Sequence, residues 1–301
     1  LTSGTSEIIV TQDSGRVFEI SSSIITNHAF TKSGEGVVLL SGYNTYTDET
    51  EILQGTLVAG GGNAIGDTSI VTLALNRHSI LQLAADETIG RLSGGKRATN
   101  SEYGTVAVGG HTLTLNQSAN TTYAGVFTGS GSIVMNTGST GNLNLQNNSS
   151  GFTGEVVISG GTFILSNIGQ NDASTFTINK GGNLLMDNNG TTRIATRILD
   201  TSEIILNSAD GGFSGATINL PRGLGMRTDQ ESTNTEVVGV VTANSGASYV
   251  TIEATTANDD PDLRMSDLVR NNNATINVRG TVLGLATANV QRSQFEITGA
   301  S

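Results

Sequence analysis

Short runs in which apolar and polar residues alternate dominate the chain: SIVTLAL from Ser69, SILQL from Ser79, TLTLN from Thr112, NLNLQ from Asn142 and TFTIN from Thr175. Alternation with period two sends successive side chains to opposite faces, so each run predicts a strand with one buried face. Roughly two dozen such runs are separated by Gly, Asn, Asp and Ser clusters, among them GGGNAIGD, NKGGN and DNNGT. Those residue types supply the positive φ that tight turns need. Helical periodicity is almost absent and no strand–helix–strand alternation occurs. The choices are therefore a sandwich, a barrel, a propeller or a β-solenoid.

Two segments in a common register decide among these. FTKSGEGVVLLSGYNTYTDETEILQGTLVAG begins at Phe30, and LNLQNNSSGFTGEVVISGGTFILS begins at Leu143. Leu39 aligns with Leu145, Tyr46 with Phe152, Thr47 with Thr153, Ile52 with Ile158, Gly55 with Gly161 and Thr56 with Thr162, always 106 positions apart. Degenerate copies of a strand–turn–strand unit point to a repetitive architecture in which each strand pairs in parallel with its counterpart one rung away. The expected fold is an all-β, right-handed parallel β-helix, or β-solenoid. Residues 1–220 are expected to form the β-helix, with the repeats at about 30–60 and 136–166. Residues 221–301 are expected to form a divergent β-rich end serving as a cap or contact region. That end holds one helix candidate, 260–271: Asp260 suits a cap, Pro261 the first helical position, Asp262 and Arg270 the two ends of the dipole, and Asn271 a stop.

LLSGYNTYTDETEILQGTLVAGGGNAIGD (Leu39 to Asp67) is similar to the LSG-x-NTYTG-x-T-x-I-x-x-GTL core of the autotransporter-associated β-strand repeat, found in passenger regions of large bacterial surface proteins. The phrases that follow up to Asn189, including SILQLAADETIGRLSG and YGTVAVGGHTLTL, resemble that family's successive phrases in the same order. Asp48 departs from the pattern, standing where the repeat has Gly; the second copy keeps Gly154. From Pro221 to Ser301 the likeness weakens, and the ending SQFEITGAS lacks the amphipathic strands of an outer-membrane barrel. The resemblance implies export by a bacterium and a place at the cell surface or outside the cell.

Composition agrees with an exported β-solenoid and narrows its chemistry. The chain has 39 glycines, two prolines and no cysteine, which removes disulfides, thiolate metal sites and cysteine nucleophiles. Its net charge of −11 argues against nucleic acid and anionic membranes as partners. No apolar run approaches the length of a spanning helix, so no membrane insertion by this segment is expected. Leu1 opens the chain without a basic or apolar leader, as in a mature product or an excised piece.

Candidate chemistry is sparse. Asp259, Asp260, Asp262 and Asp267 offer oxygen ligands for Ca²⁺, but at no EF-hand spacing, and the same acids suit a helix start. No cofactor is otherwise expected. A polysaccharide lyase or hydrolase on a β-helix is the enzymatic alternative, and it would draw on Lys180, Asp187, Arg193, Arg197 and Asp200 converging on one face. His28, His78 and His111 have no metal-site spacing. Tyr43, Tyr46, Phe127 and Phe152 belong to the repeat units and read as packing residues, with a carbohydrate-binding face as the alternative. The function expected is a non-catalytic structural or adhesive protein: a stalk, passenger or fibre (filament) subunit. Its expected partners are other copies of itself, other surface-assembly proteins through end-to-end or lateral contacts, or polysaccharide.

Overall fold

A computed structural model describes residues 6–13, 15–74, 78–95, 103–190, 192–209, 223–229, 233–255, 259–281, 283 and 293–299. Lys96 and Pro221 lie outside the described residues. The chain groups into two compact units: residues 1–144 with 149–153, and residues 145–148 with 154–301. Both are parallel β-solenoids; every registered strand pair within them is parallel. Among the described residues there is no helix, and so none long and apolar enough to cross a membrane.

In the first unit the chain winds past up to three sheets per turn. Sheet A contains Ile8–Thr11, Phe30–Ser33, Thr50–Ile52, Ile70–Leu73, Arg91–Gly94 and Thr121–Tyr123. Sheet B contains Val17–Ile20, Val37–Leu40, Gly55–Ala59, Ser79–Leu83, Thr105–Gly109 and Val126–Gly129. Sheet C starts only at Glu87–Ile89 and continues with Thr112–Leu115 and Ser132–Met135. The alternation of the sequence becomes alternation of burial. Along sheet B, Val38, Leu57, Leu81, Val106 and Phe127 stack in register inside, all 0% exposed, while their chain neighbours face out. Burying a side chain of this size is worth about 1.5–3 kcal/mol, so such a ladder is the main stabilising feature.

In the second unit two long strands carry each turn. One set contains Glu155–Ile158, Thr175–Asn179, Glu203–Asn207, Thr233–Ser245, Asp260–Arg270 and Gln294–Ile297; the other contains Gly161–Leu165, Gly182–Asn188, Leu224–Thr228, Ala247–Ala254 and Thr275–Gly280. The third side shrinks to Gln170–Asn171 and a bridge from Asn171 to Ile198.

Residues 260–271 correct the helix expectation. Asp260–Arg270 is a strand, paired with Thr233–Ser245 through ten registered residues, with Leu263 and Met265 fully buried. A capping aspartate and a dipole-matched arginine are local preferences of about 1 kcal/mol each. They lose to a backbone ladder that also buries the apolar residues at i and i+2. The expected stop survives as a turn, in which Asn272 and Asn273 take φ of 47° and 55°.

Gly55 and Gly161 occupy the same turn in the two copies, at φ of 71° and 66°. A Cβ on Gly55 would lie 2.5 Å from the carbonyl oxygens of both Gly34 and Gly36, so the turn excludes any side chain. Asp48 is not among the described residues with positive φ, which is why an aspartate is accommodated there.

Candidate functional site

The NTYT phrase folds where sheet C has not yet begun, and its side chains take over the missing ladder. Asn44, 1% exposed, accepts a hydrogen bond from the Ile24 N–H (2.7 Å) and donates one to the Ala64 carbonyl (2.6 Å). Glu87 accepts from the N–H groups of Ala64 (3.1 Å) and Ile65 (2.9 Å). Four successive turns are thus tied by two side chains, and the relay ends where Glu87 starts the first strand of sheet C. Beside it the buried Tyr46 and Thr50 hydroxyls lie 2.9 Å apart, and Thr50 and Ser69 2.8 Å apart. The second copy has Phe152 and Val156 at the positions of Tyr46 and Thr50. Both hydroxyls of the pair disappear together, so neither is left unpaired in the interior. Tyr46, Phe127 and Phe152 are all 0% exposed, as packing residues should be; Tyr43, at 63%, points to solvent.

A second buried polar group lies in the other unit. Arg197 is 0% exposed: its Nε donates to Asn188 Oδ1 (2.8 Å), and its terminal nitrogens donate to the Gly169 (2.7 Å) and Asn167 (3.2 Å) carbonyls. The Glu236 carboxylate accepts from the backbone N–H of Arg197 (2.9 Å) and of Ile198 (3.1 Å), as Glu87 does for Ala64 and Ile65. Asn188 also donates to Asn234 (3.1 Å). Burial pushes the Glu236 carboxyl up to about 8 and the Glu87 carboxyl up to about 7, against the N–H bonds that favour their charged forms. Burial lowers Arg197 to about 10, so it stays cationic at neutral pH.

Of the residues proposed for polysaccharide chemistry, Asp187 acts electrostatically on Arg197, but both are engaged elsewhere. Arg197 is committed to interior carbonyls, and Asp187 is held by Arg227 at 2.6–2.7 Å. Lys180, Arg193 and Asp200 are exposed. Lys180 precedes the strand Gly182–Asn188 and Arg193 follows it, about 20 Å of extended chain apart. The acidic group is likewise dispersed in role. Asp262, 1% exposed, accepts from Arg264 Nε (2.7 Å) and Thr235 (3.3 Å), Asp259 is buried, Asp260 half-buried and Asp267 exposed. Among the described residues no group of three or more His, Asp or Glu side chains is placed to hold a metal ion. His28 is half-buried, His78 exposed, and His111 lies 3.9 Å from Asp86. A cavity of about 280 Å³ is lined by Ala243, Leu268, Arg270, Thr275 and Ile276, a cation without a carboxylate partner to form an acid–base pair.

The surface is instead periodic. In the second unit Asn271 donates to Asn244 (3.4 Å), Asn244 to Asn207 (2.9 Å), Asn207 to Asn179 (2.9 Å) and Asn179 to Ser159 (2.9 Å), an amide ladder along the ends of successive strands. Sequence reasoning missed Lys32, Glu87, Arg197 and Glu236 as interior groups. For three of them the signal was present: alternation puts Lys32 in phase with the buried Phe30, Glu87 in phase with the buried Ile89, and Glu236 in phase with the buried Val238. Lys32 donates from its ammonium to the carbonyls of Ser33, Gly34 and Gln54 at 2.6–2.9 Å. Arg197 carries no comparable pattern.

Residues 30–59 match the Passenger-associated-transport-repeat family, and they are the first of the two copies. Over 192 residues the chain is 35% identical to a curated relative, the Adhesin BmaC autotransporter of Brucella suis biovar 1 (strain 1330). The alignment takes in 59% of this chain and 5% of that adhesin, so the chain spans a small fraction of its relative's length. No solved structure matches the chain.

Proposed function

We propose that this chain is a segment of an exported bacterial surface passenger that acts without catalysis, as a structural and adhesive element at the cell surface. The observation that carries this reading is the fold of the repeat itself. The residues that define the matched family segment, Asn44, Tyr46, Thr50 and Gly55, are spent on holding one turn of the solenoid to the next. Asn44, Tyr46 and Thr50 are at most 1% exposed, so their polar groups are out of reach of a substrate in solution. Likeness to an adhesin supports the adhesive role and the location outside the cell. The burial of Arg197 among backbone carbonyls, the pairing of Asp187 with Arg227, and the separation of Lys180 from Arg193 by the strand Gly182–Asn188 support the non-catalytic part. Its partners are other copies of itself, other proteins of the surface assembly, or surface polysaccharide.

The test is display of the 301-residue chain on a non-adherent bacterium through an outer-membrane anchor, with adherence to cultured animal cells as the readout. The reading predicts adherence above that of the anchor alone; no gain despite confirmed display would reject the adhesive role.

A further inference from the structure

The turn that follows the strand Gly182–Asn188 carries the chain's sole Asn–Gly pair, Asn189–Gly190. Every other asparagine precedes a residue with a Cβ, which shields the backbone nitrogen beside it. Gly190 has none, takes φ of 108° and is exposed, and a Cβ placed on it would meet nothing within 4 Å. The turn is open at that point.

The registers bring two further groups to the pair. Asn188, Thr228 and Ala254 are aligned on three neighbouring strands, and the next residue of each, Asn189, Asp229 and Thr255, meets the others at one corner. Asp229 Oδ1 accepts the Gly190 N–H at 2.8 Å. The Thr255 hydroxyl shares its proton between the Thr228 carbonyl (3.0 Å) and Asn189 Oδ1 (3.5 Å). Asp187 Oδ1 accepts the Asn189 N–H at 3.1 Å and is itself held by Arg227. A carboxylate thus sits on the nitrogen, and a hydroxyl on the oxygen, that react when an asparagine side chain closes on its own backbone. Base on nucleophile and donor on developing oxyanion are the contacts by which a catalytic arrangement is recognised.

We propose that Asn189–Gly190 is a self-modifying site, at which the chain converts Asn189 into an acidic residue with Asp229 and Thr255 as the catalytic groups. Asp229 takes the proton from the Gly190 nitrogen as that nitrogen bonds to Cγ of Asn189. Charge builds on Oδ1, where the bond from Thr255 tightens. The bond from Cγ to Nδ2 then breaks, the proton passes to the departing NH2 group, and ammonia leaves behind a cyclic imide. Water adds to either imide carbonyl and opens the ring. The product is aspartate, or isoaspartate with the backbone routed through the former side chain. Either one adds a carboxylate to a corner that already sets Asp187 and Asp229 against a single guanidinium, Arg227. The change happens once per chain, so it marks the age of the second unit and is separate from the adhesive reading.

The same contacts would have the opposite effect if they were protective, since a nitrogen held away from Cγ closes slowly. The purified 301-residue chain is therefore aged at neutral pH and digested at intervals. The mass increase of amide-to-acid exchange is followed on the peptide that holds Asn189, and isoaspartate is scored with isoaspartyl methyltransferase. Conversion should be at least about tenfold faster than in a synthetic peptide of residues 185–194, which lacks Asp229 and Thr255. Asp229→Asn keeps the shape and removes the base, and should slow conversion about tenfold or more. Should that variant disturb folding, as circular dichroism would reveal, Thr255→Val should slow conversion and Thr255→Ser should restore it. A folded chain that converts no faster than the peptide would overturn the proposal. So would conversion that is unchanged or faster in Asp229→Asn, equal rates in the two Thr255 variants, or equal conversion at the other asparagines.

Discussion

The two units meet the same problem, an interrupted backbone ladder, with side chains of different size. In the first unit the gap is narrow, because sheet C is absent only from the early turns, and one amide and one carboxylate bridge it: Asn44 and Glu87. In the second unit the third side is reduced to two-residue strands, and an interior row of Asn188, Arg197, Asn234 and Glu236 fills the space. The common element is a buried glutamate accepting two successive backbone N–H groups of a neighbouring turn. The difference teaches that departures from the repeat cost apolar core: as turns lengthen, interior hydrogen bonds shift from backbone to side chain, and stability comes to depend on single residues.

That comparison is broken most forcefully at Arg197. Arg197→Leu removes the donors serving Asn188, Gly169 and Asn167 and leaves the buried Glu236 without its nearby cation, so it should destabilise the second unit by about 3–5 kcal/mol in chemical denaturation. Next comes Asn44→Ala, which orphans the Ile24 N–H and the Ala64 carbonyl; a loss of about 2–4 kcal/mol, confined to the first unit, is expected from the same measurement. If both substitutions lower both units equally, the units are not separate in their energetics.

A third prediction concerns pH. An unfolded glutamate titrates near 4.5, whereas folded Glu87 and Glu236 titrate near 7 and 8. Across that window the folded chain holds protons that the unfolded chain releases. Their contribution is complete below about pH 4.5 and is lost as pH rises through 7 to 8. Thermal melts should show this decline, by a few kcal/mol. Glu236→Gln should flatten it in the second unit and Glu87→Gln in the first. The smallest effect sharpens the comparison between the two copies. Tyr46→Phe should cost about 1 kcal/mol, and adding Thr50→Val should cost less than the sum of the single changes, because Phe152 and Val156 already form that hydroxyl-free pair in the second copy.

Much of the scaffold was legible because its physics is local. Period-two alternation marked the strands, and the shared register marked Gly55 and Gly161, whose positive φ a sequence pattern can carry. The failure at 260–271 has the opposite cause: Asp260, Pro261 and Arg270 follow helix-end rules, while the parallel neighbour at Thr233–Ser245, set by the winding of the chain, decides the outcome. Lys32, Glu87 and Glu236 drew no attention in the sequence, although the phase of alternation with Phe30, Ile89 and Val238 places all three inside. The polysaccharide-site candidates failed on geometry, since nearness in sequence put Lys180 and Arg193 at opposite ends of one strand and Arg197 in the core.

The central claim, that the surface of this chain binds without catalysing, is tested most directly by incubating the purified chain with acidic polysaccharides and with animal cells side by side. The account predicts saturable cell binding, no cleavage of the polysaccharides, and unchanged binding in a Lys180→Ala, Arg193→Ala, Asp200→Ala variant. Polysaccharide cleavage by the wild type that this variant lacks would contradict it.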